Sequence, residues 1–360
     1  MKVVKFGGSS LADAAQIGKA LAIVAAEPER RFVVASAPGK RSADDVKVTD
    51  LLYRLQAEPD ADRPATLARL RDRFGGIVND LGVALDLGAE FALIERQLTL
   101  GAGPDYFASR GEYLNSKIIA AKLGWPFVDA AEVVRFDAAG QLLPEPTDAA
   151  LAAALGGLDR AVVPGFYGAG PDGRVKTFTR GGSDITGALV ARAVRADVYE
   201  NWTDVSGVLM ADPRVVEAPA PIRLISYADL RRLAAMGASV LHEAAVEPVR
   251  LAGIPINVRN TNRPADQGTW IQAEAPAPAP GAAPIVGLAG KVGFALIGVV
   301  ESGARPSQEV AAAMARALAG AGVKVRFQAA QDGLRVVAVD SDRYEDAVRA
   351  MYRALVADYQ

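Results

Sequence analysis

Two glycine pairs, each set beside a cation and a hydroxyl, are the residues of this chain best suited to chemistry. The first follows a short apolar run. Val3 to Phe6 leads into Gly7-Gly8 and then Ser9-Ser10-Leu11, with Lys5 just ahead of the glycines. Paired glycines let backbone approach a ligand closely and tolerate positive φ. A helix opening there aims unpaired N–H groups at the same spot and favours an anion. With Lys5 as a mobile cation, the sum reads as a phosphate site; the plain alternative is a strand–turn–helix joint with an exposed lysine. The second pair sits in Thr179-Arg180-Gly181-Gly182-Ser183-Asp184, which runs straight into a helical pattern from Ile185. Its ordinary reading is a turn capped by Ser183 or Asp184. Two such sites in one domain allow one loop to hold phosphates and the other an anionic acceptor, with Lys5 and Arg180 neutralising charge between them. Phosphoryl transfer needs that arrangement, because its catalysis is mostly positioning plus electrostatic stabilisation. The chain has no Gly-x-x-x-x-Gly-Lys-Ser/Thr, and it lacks the His-Arg-Asp and Asp-Phe-Gly pair of protein kinases.

Positioning these residues falls to alternating strand-like and helical runs. Val3–Phe6, Arg31–Ala35, Trp125–Val128, Ala161–Pro164, Asp197–Val205 and Ile254–Val258 read as strands. Ala12–Ala26, Glu112–Leu123, Ile185–Arg195 and Ala228–Met236 read as helices, and Ala57–Leu100 shows helical spacing only. Such alternation predicts an α/β fold: a mainly parallel sheet sandwiched by helices. Four prolines between Glu274 and Pro284 break the pattern and favour extended, semi-rigid backbone. The expected division is a catalytic domain over 1–273, a linker over 274–284 and a small α+β domain over 285–360. In that last part Ile285–Leu288, Phe294–Val300, Lys324–Gln328 and Leu334–Val339 read as strands, Ser307–Ala321 and Arg343–Ala357 as helices.

Composition excludes several alternatives. The 360 residues carry a net charge of −2, without the basic excess that nucleic acid or an anionic membrane would want. With no cysteine and one histidine there are no disulfides, no thiolate or histidine metal cluster, and almost no room for a Ser-His-Asp triad. Neither a signal peptide nor an apolar membrane span is evident, so a cytoplasmic protein is expected.

Taken in order, the motifs resemble aspartate kinases of the amino-acid kinase superfamily. The resemblance is carried by Lys5-Phe-Gly-Gly-Ser-Ser10, Arg180-Gly-Gly-Ser-Asp184, Trp202-Thr-Asp-Val-Ser-Gly-Val208 and Asp212-Pro-Arg214. Val34-Ala-Ser-Ala37, Thr49-Asp50, Ser109-Arg-Gly-Glu112, Pro164-Gly-Phe166, Gly237–His242, Asn260-Thr261 and Gly268-Thr269 extend it to about residue 272. The resemblance implies an amino-acid-kinase fold and ATP-dependent phosphorylation of the side-chain carboxylate of L-aspartate, leading toward lysine, threonine and methionine. It implies that Lys5 stabilises the transferring phosphoryl group and that Asp184 organises Lys5. Gly7, Gly8 and Ser9 would donate to phosphate oxygens. Arg180 would hold the substrate α-carboxylate and Glu112 its amino group. Ser36, Thr49, Phe166 and Ser183 would line the amino-acid pocket. Thr203, Asp204 and Arg214 would meet the nucleotide. Mg2+ would be held by ATP and water, with no residue of the chain as metal ligand. The alternatives are a relative acting on another small acidic metabolite and a non-catalytic amino-acid sensor. Loss of Lys5, Arg180 or Asp184 would mark the sensor, and all three are present.

The segment after the prolines resembles a single, shortened ACT domain, a unit that aspartate kinases usually carry in two copies. The resemblance implies a homodimer formed through this part and weak sensitivity, or none, to lysine and threonine.

Overall fold

Val3, Val4 and Phe6 are at most 1% exposed, because the strand that carries them is flanked by strands on both edges and by helices on both faces. The computed structural model describes residues 1–236, 241, 243–275, 283, 285–291 and 295–356. Residues 237–240 and 242 of the Gly237–His242 motif lie outside the described residues, as do Phe294 and most of the proline-rich stretch. In chain order the elements begin β1 (Lys2–Phe6), α1 (Ala14–Ala26), β2 (Arg30–Ala35), α2 (Val48–Ala57), α3 (Arg63–Leu81), α4 (Gly88–Thr99) and α5 (Pro104–Leu123). Next come α6 (Ala130–Val133), α7 (Pro144–Leu155), β3 (Ala161–Pro164), the hairpin β4 (Tyr167–Ala169) and β5 (Val175–Thr177), α8 (Gly182–Ala193) and β6 (Val198–Thr203). The remainder are β7 (Leu224–Ser226), α9 (Tyr227–Ala235), α10 (Glu243–Leu251), β8 (Ile256–Asn260), β9 (Thr269–Gln272), β10 (Ile285–Lys291), β11 (Leu296–Glu301), α11 (Ser307–Gly320), β12 (Phe327–Gln331), β13 (Leu334–Ala338) and α12 (Tyr344–Leu355).

Two units result, one of Met1–Val205 with Ala244–Asp266, the other of Ser206–Glu243 with Gln267–Gln360. In the first, parallel strands run in the order β3-β2-β1-β6-β8. Side chains alternate between the two faces. Lys5 lies opposite Asn201, and Phe6 opposite Trp202. Helix α8 packs on β1, β2 and β6. On the other face Phe6 and Trp202 join Ile17 of α1, Leu52 of α2, Phe74 of α3 and Leu114 of α5 in one apolar core. The chain steps from β1 to β2 and β3 on one side, then crosses to β6 and β8 on the other. A parallel sheet opens a crevice at the carboxyl ends of its strands where the order reverses. That point lies between β1 and β6, beside the first glycine pair.

The second unit pairs β7 with β9 in parallel and carries the antiparallel order β10-β11-β13-β12. Helices α11 and α12 cover that sheet through Val310, Met314, Ala347 and Met351. The architecture is an α/β sheet sandwiched by helices with a C-terminal antiparallel α+β part. None of the described helices is long and apolar enough to cross a membrane.

Several expected boundaries shift. Trp125–Val128 is no strand; it makes one bridge, Phe127 to Val162, because Pro126 has no N–H to give a ladder. Helix α5 starts not at Glu112 but at Pro104 in its first turn, a position where a missing N–H costs nothing. The strand expected over Lys324–Gln328 runs instead over Phe327–Gln331, set by a two-residue turn with positive φ at Asp332 (49°) and Gly333 (76°).

Candidate active site

Lys5 projects from the end of β1 onto the α8 face, where its ammonium meets Asp184 Oδ1 at 2.6 Å. The lysine is only 7% exposed, so the pair is screened far less than a surface ion pair. Asn201, Lys5's neighbour in β6, donates its amide to the same carboxylate oxygen at 2.7 Å. The Tyr199 hydroxyl donates to the Asp184 carbonyl at 3.1 Å. Asp184 stands in the first turn of α8, yet the N-cap is Gly181 and makes no side-chain cap. The ordinary cap reading therefore fails: this carboxylate is turned toward the lysine.

The first glycine pair works by space, not by φ. Gly8 has right-handed helical φ (−60°), and Gly7 is not among the positive-φ glycines. A Cβ on Gly8 would stand 3.1 Å from the Ala37 carbonyl oxygen. One on Gly39 would fall 2.6 Å from the Gly8 carbonyl, to which the Gly39 N–H donates at 2.8 Å. The turn after β1 is thus clamped to the loop after β2. Gly7 N–H donates to the Trp202 carbonyl at 3.0 Å, closing the other side. The helix expected directly after the glycines is a 3-10 turn over Ser9–Leu11. Helix α1 waits until Ala14, capped by Asp13.

Arg73, buried in α3, locks this clamp. Its guanidinium donates to the carbonyls of Ala12 (2.8 Å) and Gly39 (2.7 Å) and to Asp45 (2.7 Å). Arg41, with Arg73 behind it, holds the Asp45 carboxyl well below the usual carboxylate range. Neither Gly39 nor Arg73 carried a sequence signal, since both act on backbone distant in the chain. Gly39→Ala is expected to push the Gly8 peptide aside and lower kcat by about 10- to 100-fold, since small misplacements of a positioned group cost that much. Steady-state rates beside a far-UV spectrum of the folded variant check this.

The second pair uses both properties of glycine. Gly181 has φ 59°. A Cβ on Gly182 would sit 2.7 Å from the Phe166 ring, and one on Gly165 would sit 2.6 Å from Ser183 Oγ. The turn after β3 therefore lies directly on the start of α8, bringing Phe166 and Ser183 together. Phe166 itself has φ 79°, a strained conformation for a bulky residue. Hydrogen bonds of its N–H to Thr186 Oγ1 (3.2 Å) and its carbonyl from Phe178 N–H (2.9 Å) hold it there. Arg180 is exposed just before this turn and pairs with no carboxylate among the described residues.

Glu112 is an acid perturbed in the opposite direction to Asp45. It lies well inside α5 and is 6% exposed, so it is no solvated helix-start carboxylate. Burial raises its pKa to about 8, although the Ala37 N–H and the charges of Lys5 and Arg110 favour the ionised form. Its Oε2 is buried without a partner. Gly111 lets α5 reach the loop after β2, since a Cβ there would be 2.7 Å from Ala37 Cβ. Ser36, 9% exposed, precedes Ala37, and Thr49 is half-buried in the first turn of α2. At the end of β6, Thr203 donates to Asp204 Oδ1 at 3.1 Å, and the Asn260 amide donates to the Asp204 carbonyl at 3.2 Å. Arg214 belongs to the second unit, where Asp212 engages its guanidinium through both carboxylate oxygens.

The first unit thus gathers a buried cation, two tight glycine turns, the buried Ser36 and Ser183 and an orphaned acid at one end of a parallel sheet. Asn201 was not anticipated; a polar Glu200-Asn201 step inside a buried strand was the available signal.

The Amino acid kinase family profile matches residues 1–260. Aspartokinase 3 of Bacillus subtilis is 37% identical over 316 residues, which is 82% of this chain and 68% of that protein. Lysine-sensitive aspartokinase 3 of Escherichia coli is 33% identical over 294 residues, 75% of this chain and 63% of that protein. The chain therefore spans about two thirds of the length of these curated relatives. Among solved structures, aspartate kinase of Clostridium acetobutylicum superposes with a TM-score of 0.89 at 34% identity, covering 99% of this chain and 100% of that one. Escherichia coli aspartokinase III in complex with aspartate and ADP gives 0.69 at 26% identity, covering 94% and 78%.

Proposed function

The chain belongs to the amino acid kinase family, and we propose that it transfers the γ-phosphoryl group of ATP to the side-chain carboxylate of L-aspartate, forming 4-phospho-L-aspartate and ADP. The observation that carries this is the pair of buried Lys5 and half-buried Asp184 standing between two glycine turns at the carboxyl ends of the strands. The solved complex of a relative with aspartate and ADP supports the same substrates. The acceptor carboxylate is already ionised near neutral pH. One of its oxygens attacks γ-phosphorus in line, the bond to the bridging oxygen breaks, and ADP leaves without a proton transfer. Lys5 neutralises charge on the moving phosphoryl group, and Asp184 with Asn201 fixes where the ammonium stands. N–H groups of Gly8 and Ser9 face the phosphate oxygens; that of Gly7, expected to join them, is spent on the Trp202 carbonyl.

On the acceptor side, Arg180 pairs with the α-carboxylate in the bidentate geometry that suits guanidinium. Glu112 receives the α-ammonium on its orphaned oxygen, and Ser36, Thr49, Phe166 and Ser183 enclose the side chain. Thr203 and Asp204 meet the nucleoside. Among the described residues no cluster of three acidic or histidine side chains could hold a resident ion. With ATP bound, Mg2+ would be carried by its phosphate oxygens and water and would neutralise phosphate charge. An ADP-release assay over aspartate, glutamate and related acids tests the acceptor: turnover is expected with L-aspartate alone, and equal turnover with glutamate would reassign the pocket.

The raised pKa of Glu112 gives a pH signature. Below about 8 the free site holds the acid neutral, and only the ionised form attracts an ammonium. The KM for aspartate is therefore expected to fall by up to about 10-fold per unit as pH rises toward 8, and Glu112→Gln should lose that slope. Stability runs the other way. The folded state keeps a proton that the unfolded chain releases above its ordinary value, so this group's contribution falls as pH rises from about 4.5 to about 8. Glu112→Gln should accordingly raise the Tm of the free protein at pH 8.5 relative to pH 5.

The proposal includes a cytoplasmic homodimer formed through the C-terminal part. Support comes from β12, an edge strand whose five residues are all exposed, Phe327 by 59%; a second copy would cover such an edge.

A further inference from the structure

Opposite the Lys5–Asp184 pair, on the other face of the same sheet, the first unit holds a cavity of about 460 Å³ walled by α1, Trp202 and the chain following β8. The alternation of the strands separates the two sites: Lys5 is registered with Asn201, whereas Trp202 is registered with Phe6 and Arg259. Its size is that of a small-molecule site. The floor is apolar, formed by Ile23 and neighbouring alanines of α1, Trp202 and Pro264.

The charges on its wall do not cancel. Arg30 is saturated: it donates to Glu200 (2.8 Å), to Glu27 (2.8 Å) and to the Ile23 carbonyl (2.6 Å). Glu27 is likewise consumed by Arg30 and Lys2. Arg259 is different. Its guanidinium lies 4.6 Å from the Trp202 ring centre and donates to the Pro264 carbonyl at 2.7 Å, while its Nε is buried without an acceptor. Lys19 gives its ammonium only to the Asn262 side-chain oxygen, at 2.8 Å. Among the described residues neither cation meets a carboxylate. A half-buried guanidinium whose Nε is buried without an acceptor, and which is otherwise paired only with carbonyls and a ring, lacks its strongest partner.

We propose that this cavity binds a small organic anion, its carboxylate or phosphate head between Arg259 and Lys19 and its apolar body on Ala22, Ala26 and Pro264. The site is independent of the acceptor assigned above.

Titration calorimetry on the full chain with three probes tests it: 1-naphthoate, 1-naphthyl phosphate and the neutral 1-naphthalenemethanol. At least one anion is expected to bind once per chain, undisplaced by ATP and aspartate, with the neutral probe at least 10-fold weaker. Whichever anion binds tighter identifies the natural head group. Arg259→Gln should weaken the anion at least 10-fold, and Arg259→Lys should restore part of that. Lys19→Gln, a surface change that leaves turnover unchanged, should weaken it several-fold. No saturable anion binding, equal binding of the neutral probe, displacement by ATP, or indifference to Lys19→Gln in the folded variant would each overturn the proposal.

Discussion

Lys5→Ala, purified in folded form, is expected to lose about 10^3-fold in kcat with a KM for aspartate close to the native value. The group removed is a preorganised cation at 7% exposure, and one such donor aimed at developing charge is worth about 10^2- to 10^3-fold. The upper figure applies here because Asp184, left with Asn201 as partner, brings uncompensated negative charge to the place where phosphate oxygens must sit. Asp184→Asn separates the two contributions. It keeps an oxygen near Lys5 and removes the charge that orients it, so an intermediate loss is expected. Stopped-flow or steady-state rates, with Tm measured beside them, decide the matter. A Lys5→Ala enzyme within 10-fold of native would mean the ammonium is structural.

Arg180→Ala should act on the other substrate. The KM for aspartate is expected to rise by about 10^2- to 10^3-fold, with the KM for ATP within a few-fold of native, as follows when one partner of a hydrogen-bonded charge pair is truncated. Arg180 is exposed and unpaired with any carboxylate among the described residues, so its removal should leave the fold and Tm unaltered. Arg180→Lys is expected to recover little, because an ammonium cannot reproduce the two parallel hydrogen bonds of a guanidinium. Equal increases in both KM values would place Arg180 on phosphate instead.

What was legible in advance follows from how locally each feature is encoded. Strands β1, β2 and β3 are covered on both faces, so they read as continuous apolar runs, the pattern of a parallel sheet. The glycine turns were legible because each motif and the turn it makes share one short segment. Glu112 was found as a residue but misplaced at a helix start, since Pro104 opens that helix far upstream. The clamp made by Gly39 and Arg73, and the Asn201 amide on Asp184, were not legible. Each joins segments far apart in sequence, and spacing along one segment carries no trace of them. The second unit shows the same limit. It draws residues 206–243 together with the C-terminal part, and a boundary sought in composition falls at the prolines.

The central claim is that phosphate moves from ATP to a carboxylate of aspartate, and trapping with hydroxylamine tests it most directly. An acyl phosphate reacts to give a hydroxamate, whereas a phosphate ester or free phosphate does not. Incubating the native enzyme with ATP, Mg2+, L-aspartate and hydroxylamine should yield aspartyl β-hydroxamate in one-to-one proportion with ADP, and none with Lys5→Ala beyond its residual rate. ADP formed from ATP and aspartate with no hydroxamate, or at the same rate when aspartate is omitted, would contradict the account.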